Sequence, residues 1–96
     1  MKKNNRRLPD TEMYKSFLLL ETEEEVRNFL EDLCSMTELM AMEQRFEVAR
    51  LLHKGQIYNA IMERTGASSA IISRVNRSLQ YGSGGYDVVF ARLDET

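Results

Sequence analysis

The segment that most constrains this chain covers residues 61–77 and reads I-M-E-R-T-G-A-S-S-A-I-I-S-R-V-N-R. A short helical pattern over residues 57–64 reaches a turn at residues 65–67. Gly66 suits this turn because glycine adopts left-handed backbone conformations at little steric cost. Ser68 follows at the N-cap of a second helix, since its hydroxyl oxygen can accept a hydrogen bond from an unpaired backbone N–H. The segment therefore predicts two short helices joined by a tight turn.

The second of these helices has two different faces. Ile72, Val75 and Leu79 recur at i, i+3 and i+7, which predicts one apolar stripe packed against a core. The opposite face carries short polar or cationic groups, namely Ser69, Ala70, Ser73, Arg74 and Arg77. This arrangement is typical of a helix-turn-helix, here over about residues 56–80, whose second helix lies in the major groove of DNA.

The segment also resembles a widespread helix-turn-helix pattern, I-A-x-x-T-G-x-S-x-x-x-I-S-R-V. The matching residues are Ile61, Thr65, Gly66, Ser68, Ile72, Ser73, Arg74 and Val75. Met62 departs from the pattern, which has a small alanine where the two helices cross. A larger side chain there implies a wider or differently angled crossing, and Trp repressors share this departure.

The similarity to Trp repressors extends beyond the motif. Leu51, Leu52 and the following residues to Gly66 align without a gap with the leucine pair and first motif helix of that family. The match continues at Ala67, Ala70, Ile72, Arg74, Ser78 and Leu79. With the segment Q-Y-G-S-G-G-Y at residues 80–86, the whole chain resembles the small Trp-repressor-like YerC/YecD group. The resemblance implies a homodimer whose helices intertwine.

The remaining helices are predicted from their start and stop signals. A first helix is expected over about residues 9–21. Two capping boxes, Thr22 to Glu25 and Ser35 to Glu38, predict the starts of a second and a third helix. The third should end at a glycine cap at residues 54–55, and a last helix should cover residues 86–93. The expected fold class is all-α, with about five to six short helices.

The length and composition limit the other possibilities. A chain of 96 residues is one domain at most, expected over residues 9–96, and dimerisation would relieve its thin core. The longest uninterrupted apolar run, residues 17–20, is too short to span a bilayer. Cys34 is the single cysteine and there is one histidine, so neither an intramolecular disulfide nor a metal cluster is expected. We expect no cofactor and a cytoplasmic location.

The net charge of −2 conceals an uneven distribution of charge. Residues 1–8, expected to be a disordered arm, contain four cations and no acid, which is compatible with added phosphate contacts or with a solubilising tail. Residues 21–47 contain nine acids against two arginines, and we interpret this excess as a solvated face. Residues 53–80 contain four cations against Glu63 alone. The motif thus carries the local positive charge that nucleic-acid binding requires.

The candidate DNA-binding residues follow from these patterns. Ser69, Ala70 and Ser73 are near the start of the reading helix and are expected to meet base edges. Ser68, Thr65 and several cations suit phosphate contacts. The full set is Lys54, Arg64, Thr65, Ala67, Ser68, Ser69, Ala70, Ser73, Arg74 and Arg77.

Arg74 has a second candidate role. In Trp repressors the matching arginine stacks on the indole of bound tryptophan, so the resemblance implies a candidate effector pocket at Gln44, Arg45, Arg74 and Val75. Val75 replaces a glycine of that pocket, and Gln44 replaces its partner arginine. Arg45 is only adjacent, and one residue along a helix turns a side chain by about 100°. We therefore expect that free tryptophan does not bind tightly; the identity of any effector stays open.

Two functions remain open at this stage. The first is a transcriptional regulator, expected to be a repressor, that binds operator DNA as a dimer. The second is a helical dimerisation or protein-interaction module with a vestigial helix-turn-helix. Catalysis is not expected, because no acid, base and nucleophile occur in a catalytic arrangement.

Overall fold

The computed structural model describes residues 7–95, and the elements in that range are six α-helices without a strand. The helices are α1 (Met13–Phe17), α2 (Glu23–Leu33), α3 (Met36–His53), α4 (Tyr58–Thr65), α5 (Ser69–Tyr81) and α6 (Gly85–Leu93). The prediction of an all-α fold with five to six helices is confirmed. Most of the expected disordered arm lies outside the described residues.

The chain divides into two compact units, one up to residue 35 and the other from residue 36 onward. A single domain over residues 9–96 stays a prediction. Among the helices of residues 7–95, none combines the length and the apolar composition that a membrane span requires.

The first helix of the first unit is shorter than its sequence predicts. A helix over residues 9–21 was the expectation, but α1 has only five residues. Asp10 has a φ of 60°, outside the right-handed helical region, so the chain turns at residues 9–10 and cannot begin a helix there. After Phe17 the N–H groups of Leu18 and Leu19 donate to carbonyls three residues back, at 3.0 and 3.1 Å. These tighter turns end the helix.

The second helix begins where the capping box predicts. The Thr22 hydroxyl accepts the Glu25 N–H at 3.0 Å. The Glu25 carboxylate accepts a backbone N–H at 2.8 Å, although the donor is Glu21, one residue before the cap. The rings of Phe17 and Phe29 meet edge to face with centroids 5.2 Å apart. None of the described residues of this unit, 7–35, is buried.

The second unit has a closed apolar core. Its buried members come from α3, α4, α5, α6 and the turn between α4 and α5: Val48, Ala49, Leu51, Ile61, Ala67, Ile72, Val75 and Phe90. Phe90, Ile61, Ile72 and Val48 are the largest fully buried side chains. α3 and α5 each contribute more than one of these residues, whereas α4 contributes Ile61 and α6 contributes Phe90.

The predicted glycine cap ends α3 and directs the chain into α4. Gly55 has a φ of 84°, and its N–H donates to Leu52 O at 2.9 Å. Gln56 N–H donates to Leu51 O at 3.1 Å. These two bonds form a Schellman motif, which satisfies the last carbonyls of the helix.

Arg50 holds the last helix onto the end of α3 through a cation–π contact and an ion pair. The Arg50 guanidinium lies over the Phe90 ring, 5.1 Å from its centroid, and also forms an ion pair with Asp94. The hydrogen bond from Arg50 holds the pKa of the Asp94 carboxyl below its usual range. His53 Nε2 is 3.9 Å from the same carboxylate.

Candidate nucleic-acid interface

The turn between α4 and α5 has the predicted geometry. Gly66 ends α4 in the left-handed conformation, with φ 74°, and its N–H donates to Met62 O at 2.9 Å. The Ser68 hydroxyl accepts the Ile71 N–H at 3.2 Å, which caps α5. Ile72 and Val75 are buried, so the predicted apolar stripe faces the core. This leaves the opposite face of α5 at the surface.

Eight of the ten predicted DNA-binding residues are exposed. They are Lys54, Arg64, Ser68, Ser69, Ala70, Ser73, Arg74 and Arg77. Half of these side chains are cations, and α5 itself contains no acid. The exposed face of α5 therefore offers hydroxyl groups and methyl groups flanked by positive charge.

Two of the ten do not present a free group to the surface. Ala67 is only 2% exposed and packs in the core, so its side chain does not reach the surface, and its contact with DNA stays a prediction. The Thr65 hydroxyl donates to Ile61 O at 2.7 Å and accepts the Ala67 N–H at 3.1 Å. Its only hydroxyl hydrogen is therefore occupied, and Thr65 stabilises the turn instead of offering a donor to a phosphate.

Tyr58 is a residue of this surface that the sequence did not reveal. It is the first residue of α4, and its ring packs against the core. Its hydroxyl oxygen is 3.4 Å from the Ser73 hydroxyl oxygen, at the surface of α5. Fifteen residues separate the two positions, so no helical periodicity connects them. The available signal was the amphipathic side chain itself, since the hydroxyl of a packed tyrosine usually finds a hydrogen-bond partner.

The four candidate effector residues lie around one cavity of about 600 Å³. Gln44, Arg45, Arg74 and Val75 line it together with Ala41, Ile71, Ser78 and Tyr86. Val75 is almost wholly buried, so its branched side chain contributes to the wall of the cavity. Gln44 Nε2 donates to Thr65 O at 3.2 Å. Gln44 thus links α3 to the turn of the helix-turn-helix, a role that the sequence did not predict.

The comparisons with known proteins agree with this geometry. The family model described as Trp repressor protein matches residues 11–94. The uncharacterized protein YerC of Bacillus subtilis is 44% identical over 85 residues, which are 88% of this chain and 82% of that protein.

Two solved structures are similar over most of their length. One is a TrpR-like protein from Eubacterium eligens, with 48% identity, a TM-score of 0.83 and 86% of each chain covered. The other is a putative Trp repressor from Staphylococcus aureus, with 40% identity, a TM-score of 0.82, and 86% of this chain and 83% of that chain covered. The resemblance predicted from the sequence is confirmed, and the chain belongs to the Trp repressor family.

Proposed function

We propose that this protein is a transcriptional repressor that binds a specific operator sequence as a homodimer. The observation that carries the proposal is the exposed, acid-free face of α5, held by the capped turn at Gly66 and Ser68. Membership of a family of DNA-binding regulators, which are not enzymes, supports the same function.

The charges around this face suit the backbone of a DNA duplex. Lys54 follows α3, Arg64 is in the last turn of α4, and Arg74 and Arg77 are on α5, and all four are exposed. Cations at this surface can contact phosphates on either side of the major groove, which positions a recognition helix. Ser69, Ala70 and Ser73 then face base edges, where hydroxyl and methyl groups can read hydrogen bonds and thymine methyls.

A second copy of the chain would complete the first unit. Leu18 is 86% exposed and Leu19 is 77% exposed, and Leu33 is also exposed. Leu18 and Leu19 are neighbours in the chain, and contiguous exposed apolar side chains mark surfaces that a partner covers. In a two-fold dimer each copy covers the other, and two reading helices meet half-sites about 10 base pairs apart.

The first experiment is selection from a random pool of DNA duplexes with the wild type and with the double variant Ser73→Ala, Arg74→Ala. A variant with Ser83→Ala and Arg92→Ala is the matched control, because it removes the same two side-chain types at exposed positions outside α5. We expect the wild type and the control to enrich one palindrome that the α5 variant loses. Enrichment that survives in the α5 variant would place the reading surface elsewhere.

The salt dependence of binding separates this function from a protein-interaction module. Phosphate contacts release counterions, so the affinity for DNA should fall steeply between 50 and 200 mM salt, by roughly a thousandfold or more for six or more contacts. A module with a vestigial helix-turn-helix would show no enriched site and a weak response to salt. That result would favour the alternative function.

The cavity beside α5 is expected not to bind free tryptophan tightly. Val75 narrows it, and the Gln44 amide is already bonded to the Thr65 carbonyl. Titration calorimetry with L-tryptophan should therefore show no binding in the micromolar range. A micromolar dissociation constant would contradict this proposal without affecting the DNA-binding one.

A further inference from the structure

The Tyr58 and Ser73 hydroxyl groups lie next to each other on the face that α5 presents to solvent. Their oxygens are 3.4 Å apart, and either hydroxyl can donate to the other. The partly buried Tyr58 side chain packs against the core of the second unit, so its hydroxyl is carried on a rigid support. A donor fixed by packing loses little conformational entropy when it binds, which makes it suitable for recognition.

The bond between the two hydroxyls limits what the pair can offer to a ligand. Each hydroxyl has one hydrogen and two lone pairs. When Ser73 donates to Tyr58, the phenol hydrogen and the serine lone pairs remain free. When the direction is reversed, the serine hydrogen and a phenol lone pair remain free. Either way, the pair offers one donor and one acceptor, side by side.

This combination matches one base better than the others. In the major groove adenine offers an acceptor at N7 next to a donor at N6, whereas guanine offers two acceptors at N7 and O6. A guanine would need two donors, and the bonded pair has only one free hydrogen. Cytosine offers only a donor, and thymine an acceptor beside a methyl group. One donor next to one acceptor is therefore complementary to adenine.

We propose that Tyr58 is a specificity-determining residue that reads, together with Ser73, an adenine in each operator half-site. The inference rests on the proposed DNA binding and adds to it a residue of α4 and the base it selects. The selection of adenine requires the bond between the hydroxyls to be kept when the base binds, because two separate hydroxyls could donate two hydrogens to guanine.

The test uses the full chain with Tyr58→Phe, Ser73→Ala and the double variant, and Tyr81→Phe as control. Tyr81 is 81% exposed at the end of α5, so its substitution removes a phenol hydroxyl at another exposed site. The affinity of each protein is measured for a series of duplexes that differ from the selected site at one position. All four base pairs are tested at every position. We expect Tyr58→Phe to reduce the preference for adenine over the other bases by roughly tenfold at one position per half-site.

The two hydroxyls should behave as one unit. The double variant should lose no more of that preference than Tyr58→Phe alone, because each substitution already breaks the pair. The slope of affinity against salt should not change, since no phosphate contact is removed. If Tyr58→Phe is less stable by circular dichroism, the exposed Ser73→Ala variant tests the same base position without disturbing the core.

Three results would overturn the inference. A wild type that enriches a site and a Tyr58→Phe variant with the same preference at every position would contradict it and leave the proposed function intact. A loss that is equal for all bases, with a shallower salt slope, would show that Tyr58 contacts a phosphate. A wild type that enriches no site would contradict the inference together with the proposed function.

Discussion

The two units of this protein contain the same kind of element and use it differently. In each, a helix begins at a hydroxyl cap: Thr22 accepts the N–H three residues ahead in α2, and Ser68 does the same in α5. Yet no described residue of the first unit is buried, whereas Val48, Ile61 and Ile72 of the second are completely buried. A cap sets where a helix begins, but it does not determine whether its apolar face finds a partner.

This difference in burial indicates separate roles for the two units. The second unit has a core of its own, so it can hold the exposed face of α5 in a fixed position. The first unit has apolar side chains such as Leu18 and Leu19 at the surface, which a second copy of the chain would cover. On this view the first unit carries the assembly of the proposed regulator, and the second unit carries its recognition surface.

The largest expected effect is on assembly. Replacing Leu18 and Leu19 by glutamate should make the protein monomeric, since four leucines per dimer contribute roughly 6 kcal/mol or more, which is over ten-thousandfold in affinity. Sedimentation velocity over a range of protein concentrations measures the oligomeric state. The control, Asn28→Glu, adds one negative charge at an exposed polar position of α2. A double variant that stays dimeric would show that these leucines are not at the interface.

The next largest effect is on the core of the second unit. Ile72→Ala should lower the free energy of unfolding by about 2–5 kcal/mol, because it leaves a cavity at a completely buried position. The exposed Gln80→Ala on the same helix should change it by about 0.5 kcal/mol or less. Urea denaturation at one fixed protein concentration measures the free energy of unfolding of both variants and of the wild type. A small loss for Ile72→Ala would mean that the core is less tightly packed than its burial indicates.

A smaller loss of stability is expected when either of the two helix caps is removed. Comparing the two losses tests whether the units differ only in burial. Thr22→Ala and Ser68→Ala should each cost about 1 kcal/mol of stability, because each leaves a backbone N–H without its acceptor. Ser69→Ala, one residue beyond the cap, is the control. Thermal unfolding followed by circular dichroism measures the stability of all three variants. Unequal costs for Thr22 and Ser68 would indicate that local structure also differs between the units.

The smallest effect concerns Asp94, whose pKa is lowered from an ordinary value of 3.8 mainly by its hydrogen bond from Arg50. A lowered pKa in the folded state means that the carboxylate stabilises the fold above that ordinary value, and that this contribution is lost as the pH falls below it. The stability difference between wild type and Asp94→Asn should therefore be largest near neutral pH and shrink below about pH 4. Denaturation at several pH values, with Asp87→Asn as control, checks this. A difference that is constant with pH would exclude the ion pair as its cause.

The sequence by itself determined the local features of this protein. The Gly66 turn, the Ser68 cap and the stripe of Ile72 and Val75 were all predicted correctly, because each depends on residues within one or two turns of helix. The all-α fold and the resemblance to Trp repressors also followed from such patterns. The first helix was predicted too long, because the left-handed conformation of Asp10 leaves no signal in the pattern of apolar residues.

Only the tertiary structure decided which of the candidate residues have free groups at the surface. Ala67 belongs to the motif by its sequence but is buried by helices from elsewhere in the chain, and Gln44 bonds to a carbonyl twenty-one residues away. Tyr58 joins the recognition surface in the same way, through Ser73 on the next helix. Contacts of this kind depend on how helices cross, and crossing angles are set by side-chain packing between elements rather than by periodicity within one.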